Sequence, residues 1–250
     1  MVRIVMIFLF LLSTLPTAAI AAGTSPFVSV FSCDDANMED IDEDLCVVGN
    51  FREGQTVFLL SDDVVCRAET GEPVLLEREV GPEFMIAPVD TGDCDDAEYY
   101  LAYRGAELKQ FRPLELKQEK SANIRVRVNE TLRKGPLTKK LVDAFEGTLK
   151  AEPLLYRPFP KRADILLVHY ITEKPREEGD LYGPLFWYTK DRVHLIDAQA
   201  SIAAYFRLEG RQYIMLRHSC WEGCGERSVV VFHLSEQRIS LIHQDDSFSE

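Results

Sequence analysis

A chain of 250 residues with 28 Lys+Arg against 41 Asp+Glu has a formal net charge of −13, which disfavours nucleic acid and anionic membrane surfaces as partners. A hydrophobic fraction of 46% is that of a chain that buries a core, which disfavours long disordered regions. The length accommodates one domain or two, at roughly 100 to 200 residues each.

Residues 1–21 read as a secretory signal peptide. Arg3 precedes the apolar run 4–12, Ser13, Thr14 and Pro16 break it, and Ala19-Ile20-Ala21 supplies small residues at the positions a signal peptidase reads. That run is too short to cross a bilayer, for which about 20 apolar residues are needed. No later stretch is long and apolar enough either, so no membrane span is expected. The expected location is extracytoplasmic, periplasmic or secreted.

Six cysteines follow: Cys33, Cys46, Cys66, Cys94, Cys220 and Cys224. An even count in an oxidising compartment favours disulfides. Proximity along the chain selects Cys33–Cys46, Cys66–Cys94 and Cys220–Cys224 as the pairs that close the shortest loops.

Residues 22–128 read as a β-rich, disulfide-containing domain, an antiparallel sandwich or barrel. Its strand candidates are 27–31, 56–60, 64–68, 74–78, 84–89, 98–103, 108–114 and 123–128, punctuated by Gly, Pro and Asp. The segment between Cys33 and Cys46 is acidic, and Asp40-x-Asp42-x-Asp44 has the opening spacing of an EF-hand loop. Leu45 stands where that loop needs glycine, however, and Phe51 where it needs the bidentate glutamate. A looser oxygen cage would have to recruit Asp90, Asp93, Asp95 and Asp96; a solvated acidic loop is the simpler reading.

Residues 129–152 read as a linker with one amphipathic helix over 136–150, where Leu141, Phe145 and Leu149 recur every four residues beside Val142. Asn129-Glu130-Thr131 matches an N-glycosylation sequon.

Residues 153–250 contain an internal repeat. RADILLVHYI at 162–171 aligns without gaps on RQYIMLRHSC at 211–220, sharing Arg162/Arg211, Ile165/Ile214, Leu167/Leu216 and His169/His218. FWYTKDRVHLI at 186–196 aligns on FHLSEQRISLI at 232–242, sharing Phe186/Phe232, Arg192/Arg238, Leu195/Leu241 and Ile196/Ile242. A period in the forties is that of a propeller-blade-like unit. The repeats therefore predict two tandem four-stranded antiparallel meanders, about 153–198 and 199–245. Two such units cannot close a propeller ring, so they are expected to pack as a sandwich or dock on the first domain.

Chemistry is sparse. There is no Gly-x-Ser-x-Gly, no His-Glu-x-x-His and no phosphate loop. Cys220-x-x-x-Cys224 with His218 and His233 nearby offers thiolate and imidazole ligands, but an oxidising compartment favours a disulfide and no metal or other cofactor is assigned. His169 and His218 end equivalent strands, where repeated packing explains them as well as chemistry does. Trp221, beside Glu222 on the loop that Cys220–Cys224 would pin, is either a lid or a contact anchor.

The leading expectation is an exported, noncatalytic binding or interaction protein. Its ligand is a protein or an envelope component, and Trp221, Glu222, His218 and His169 are the candidate contact residues. One alternative is an envelope-directed hydrolase using His169 or His218; another is a calcium- or metal-dependent module. N-terminal sequencing of the exported product should begin at Ala22, and a product still starting at Met1 would refute the export signal.

Overall fold

The computed structural model describes residues 25–33, 45–61, 64–76, 84–92, 94, 99, 101–105, 108, 110–148, 152–171, 183–190, 192–218 and 228–244. It is mostly β, as the sequence predicts, with a closed antiparallel barrel followed by an antiparallel meander sheet.

The barrel is built from β1 (Phe27–Ser32), β2 (Leu45–Val48), β3 (Thr56–Leu60), β4 (Val65–Thr70), β6 (Phe84–Asp90) and β7 (Leu101–Tyr103), with β5 (Val74–Leu76) continuing β4 along the same edge of β6. The order β2-β1-β7-β3-β4-β6 closes on itself through pairing of β2 with β6. Closure removes the unpaired edges that an open sheet would expose. Period-2 alternation turns Val28, Val57, Leu59, Ala68, Ala87 and Ala102 into one buried cluster. The sequence does not announce β2, because the acidic run before it masks four good strand residues, Leu-Cys-Val-Val. Cys33–Cys46 and Cys66–Cys94 are both bonded, with Cα separations of 5.2 and 5.6 Å. Cys220, Cys224 and residues 34–44 lie outside the described residues.

Between the two sheets, β8 (Arg112–Pro113) and β9 (Lys117–Gln118) are two-residue pairings, where the sequence suggests a longer strand over 108–114. Phe111 and Leu108 in this stretch pack on the junction core instead. Next come two helices, α1 (Ala122–Leu132) and α2 (Pro136–Thr148), against one expected. The strand predicted at 123–128 is therefore wrong. Asn-Ile-Arg-Val-Arg-Val alternates like a strand, but Ile124, Val128 and Leu132 also recur every four residues, and these are the residues that pack. Val126, which a strand would bury beside Val128, is 57% exposed. Asn129 consequently sits inside a helix with its side-chain oxygen buried, a poor glycan acceptor.

The meander comprises β10 (Glu152–Arg157), β11 (Ile165–Ile171), β12 (Gly183–Thr189), β13 (Arg192–Leu208), β14 (Arg211–His218), β15 (Ser228–Leu234) and β16 (Ile239–Gln244), neighbours in chain order throughout. The two repeats are thus one continuous sheet and not two separable four-stranded units. The fourth strand of the first repeat and the first of the second are fused in β13, a single strand of 17 residues. Its first half pairs with β12 and its second half with β14. The edge that β12 vacates is taken by β8, while β9 pairs with β10. Residues 112–118 thereby strap the curled sheet.

One face of the sheet, the inner one, packs on itself: Ile165, Leu167, Trp187, Ile214, Leu216 and Leu234 share a cluster into which the strap inserts Leu114 and Leu116. The outer face is divided. Leu166, Val168, Tyr170, Phe186 and Tyr188 meet Val128, Leu132 and Val142 of the helices. Phe206, Leu208, Tyr213 and Met215 meet Phe27, Leu60, Leu101 and Tyr103 of the barrel. The meander therefore docks on the first sheet. At this junction Phe206 stacks on Tyr213 with centroids 5.5 Å apart, and Phe27 lies edge-on to both. The turn Glu209-Gly210, with φ of 49° and 77°, is of the kind favoured by two-residue hairpins, and Glu209 accepts a hydrogen bond from Tyr103 Oη at 3.2 Å. Truncation of Phe206, 2% exposed, to alanine should cost about 3 to 5 kcal/mol in urea unfolding; a loss under about 1 kcal/mol would mean that the junction is not packed.

Candidate functional site

Each repeat joins its second strand to its third through a connection the other repeat also has: 172–182 between β11 and β12, and 219–227 between β14 and β15. Both lie outside the described residues, but their bases are described, and they meet on one residue. Ala200, in the middle of β13, pairs with Gly183 on one side and His218 on the other, and His218 pairs in turn with Ser228. This row, Gly183-Ala200-His218-Ser228, carries the first or last strand residue at three of the four loop attachments.

β13 is bulged here. Its register against β12 shifts between Gly183 and Leu185 and again between Leu185 and Phe186. The Asp197 carboxylate accepts a hydrogen bond from Gln199 N–H at 2.7 Å, a short-range Asx bond that satisfies backbone released by the bulge. On the inner face, His169 Nε2 lies 2.9 Å from the Ala200 carbonyl. Since a carbonyl only accepts, Nε2 carries the proton and donates.

His169 is 3% exposed. Burial pushes its imidazole down to about 4, although the Ala200 carbonyl and the Asp197 charge pull the other way. A general base must reach substrate and titrate near the working pH; this histidine does neither. His169 and His218 are brought together only in the sense that both adjoin Ala200: one donates to its carbonyl, and the other is its ladder partner. Trp221 and Glu222 lie outside the described residues, as do Asp40, Asp42, Asp44, Asp93, Asp95 and Asp96. Among the described residues no three His, Cys, Asp or Glu side chains converge to hold a metal ion, and no helix is long and apolar enough to cross a membrane.

Three features of the structure have little or no signal in the sequence. Arg217, 7% exposed, sits one residue before His218 with Ser201 and Val229 as ladder partners; a charge inside the apolar run Tyr-Ile-Met-Leu-Arg was the available signal. Ser29 Oγ and His243 Nε2 are 3.2 Å apart, a contact between residues 214 apart in the chain that no local pattern announces. The pair has the chemistry of a nucleophile and base, but Ser29 is 4% exposed in the barrel wall, so the bond ties β1 to β16. Finally, Arg162 bridges the β10–β11 and β15–β16 turns. It contacts Asp164 at 2.9 Å and Glu236 at 2.6 Å, and its guanidinium holds the Asp164 carboxyl down at about 2.

Comparisons with protein-family models, with curated proteins and with solved structures find no match.

The His169 geometry sets a pH dependence. Its folded pKa lies below the ordinary 6.5, so the unfolded chain binds the proton more readily and stability falls as pH drops from 6.5 toward 4. The loss contributed by this one group reaches about 2 to 3 kcal/mol at pH 4.5. Urea unfolding of His169→Gln, whose amide can still donate to Ala200, should show a pH 7 to pH 4.5 stability difference smaller by about that amount. An unchanged difference would show that His169 is not held neutral.

Proposed function

We propose that the protein is an exported, noncatalytic binding protein whose contact surface is built around the loop bases flanking Ala200. The observation that carries this reading is the row Gly183-Ala200-His218-Ser228, on which equivalent connections of both repeats are mounted. A rigid scaffold presenting loops is the common arrangement for recognition. Trp221 and Glu222 occupy the second of those loops in the sequence, and tryptophan is the residue type most enriched at binding hot spots.

Other features support the reading. Burial and a backbone carbonyl occupy His169, which weakens the hydrolase alternative. Two disulfides in the barrel are compatible with an oxidising, extracytoplasmic compartment. The partner is a protein or envelope component, and the net charge of −13 favours a neutral or basic surface on it.

A pull-down from the native envelope or medium with the mature protein identifies a partner, and titration then tests the surface. Trp221→Ala should raise Kd at least about tenfold, as loss of an aromatic anchor does. Cys220→Ser combined with Cys224→Ser should weaken binding in the same direction by freeing the loop. Leu75→Ser, on the exposed barrel strand β5, should leave Kd unchanged. A Trp221→Ala protein that binds as well as wild type would overturn the assignment of the surface.

A further inference from the structure

One seam of the barrel ends early: β5 and the Thr70 end of β4 share an edge of β6, and the rest of β4 has no register with it. β4 and β6 pair at Glu69↔Asp90 and Thr70↔Val89, extended at one end by a bond from Gly71 N–H to the Pro88 carbonyl at 2.8 Å. β3 and β4, by comparison, pair all the way from Thr56↔Glu69 to Leu60↔Val65. Over 65–68, therefore, β4 has a described ladder partner on one edge only. Continuing the antiparallel register past Glu69↔Asp90 would set Arg67 opposite Gly92 and Val65 opposite Cys94. The chain turns away instead. Gly92 adopts a φ of 49°, a conformation glycine takes at no steric cost. Its N–H donates to Asp90 Oδ1 at 2.9 Å, and Cys94 N–H donates to the Thr91 carbonyl at 2.8 Å.

Where the backbone ladder stops, the Cys66–Cys94 bond takes over, joining Cα atoms 5.6 Å apart. The gap between them is an open depression of about 290 Å³ lined by Cys66, Arg67, Glu69, Asp90, Gly92 and Cys94. The other disulfide has no such access. Cys33 and Cys46 are 1% and 0% exposed, in a cluster with Phe31 and Ile86, whereas Cys66 and Cys94 are only partly buried and reach the surface.

We propose that Cys66–Cys94 is a thiol-exchange site, a crosslink that staples β4 beyond the end of its ladder with β6 and is open to an external dithiol while Cys33–Cys46 is closed to it. A thiolate of the dithiol attacks one sulfur of the pair, forming a mixed disulfide and expelling the other cysteine as thiolate. The second thiol of the reductant then breaks the mixed disulfide. The Cys66–Cys94 bond is lost, the reductant's own disulfide forms, and two electrons and two protons pass to the protein as two thiols. Attack needs access to sulfur along the bond axis, so burial decides which disulfide reacts. With the crosslink gone, β4 is held to β6 among the described residues at its Thr70 end, where the ladder continues through β5, and the edge of β4 over 65–68 opens by local fluctuation. None of this depends on what the 219–227 loop binds.

The test treats the full oxidised protein in native buffer with dithiothreitol, quenching aliquots by alkylation and mapping the labelled cysteines by mass spectrometry. Cys66 and Cys94 should be labelled at least about tenfold faster than Cys33 and Cys46, since the rate follows access to sulfur. Amide exchange in the selectively reduced protein should rise in β4 and β6 and stay unchanged in β14. Equal or inverted labelling rates would overturn the proposal, as would labelling of both pairs only at the rate of global unfolding. Selective labelling without faster exchange in β4 would refute the staple. Cys66→Ser combined with Cys94→Ser should reproduce the exchange pattern. Should that variant fail to fold, the wild-type labelling rates decide alone.

Discussion

The structure depends on one strand changing sides in mid-course. β13 must face the helices with its first half and the barrel with its second, while keeping a common inner face for both. In its first half Val193 and Leu195 point outward and Ile196 inward; strict alternation would then put every later even-numbered residue on the inside. Ala200 and Ile202 obey. Ala204, Phe206 and Leu208 do not, for they lie against the barrel, and Tyr205 takes the inner position, its hydroxyl donating to the Pro158 carbonyl at 2.6 Å. The register shift against β14 between Ile202 and Ala204 supplies the one extra residue that makes this switch. A bulge of one residue inverts the facing of everything after it. Without it, Arg207 would be aimed at Phe27 and Leu101, and the aromatic junction could not form.

From that switch the rest follows in order. The second half of β13 carries β14 and β15 with it, so Tyr213, Met215, Val229 and Val231 join the barrel-facing cluster. β12 cannot follow β13 past Ala200, and the strap through Pro113 and Leu114 fills the freed edge, with Leu114 N–H donating to the Tyr205 carbonyl at 2.8 Å. The strap is anchored at its far end by Glu119, whose carboxylate accepts from Ser121 N–H at 2.8 Å and pairs with Arg157. The Ser121 bond and the guanidinium together hold this carboxyl below its usual range. Barrel, strap, helices and sheet are thus coupled through β13, and the loop bases sit at the hinge of its change of face.

The strands with strong alternation were readable directly: 56–60 coincides with β3, and 84–89 misses β6 by one residue. Two short-loop cysteine pairs were readable as well, because proximity along the chain and an oxidising context leave few cheaper options. What misled was ambiguity of period. Ile124, Val126 and Val128 satisfy a strand pattern as well as Ile124, Val128 and Leu132 satisfy a helical one, and only the sheet surface that α1 covers decides between them. The fusion of two strands into β13 was hidden for a different reason. Asp-Ala-Gln-Ala-Ser at 197–201 has the composition of a loop, yet an aspartate-stabilised bulge lets it pass as strand. At the candidate site, His169 and His218 were legible as equivalent, but the chemistry of His169 was not, since only three dimensions place a backbone carbonyl 2.9 Å from its ring.

The repeat also shows which residues an internal duplication can hold constant. In the first aligned pair of segments, the identical positions Ile165/Ile214 and Leu167/Leu216 all lie in the inner cluster. The positions that differ, Leu166/Met215 and Val168/Arg217, face outward, one copy toward the helices and the other on the side that meets the barrel. The inner face packs against its own counterpart, so both copies meet the same constraint; the outer face meets two different neighbours and diverges. The second pair of segments tests this logic from the other direction. Phe186 and Phe232 align in sequence, and each pairs with an aligned leucine across its hairpin, Leu195 and Leu241. Yet Phe186 packs outward on the helices, and Phe232 inward. The two alignments differ by three residues in spacing, an odd number, and an odd change inverts facing on a strand. Cross-strand partnership survives that inversion, because a pair moves together to the other face. The second alignment therefore preserves pairing but not environment, and equivalence in sequence becomes equivalence in chemistry only where the face is kept as well.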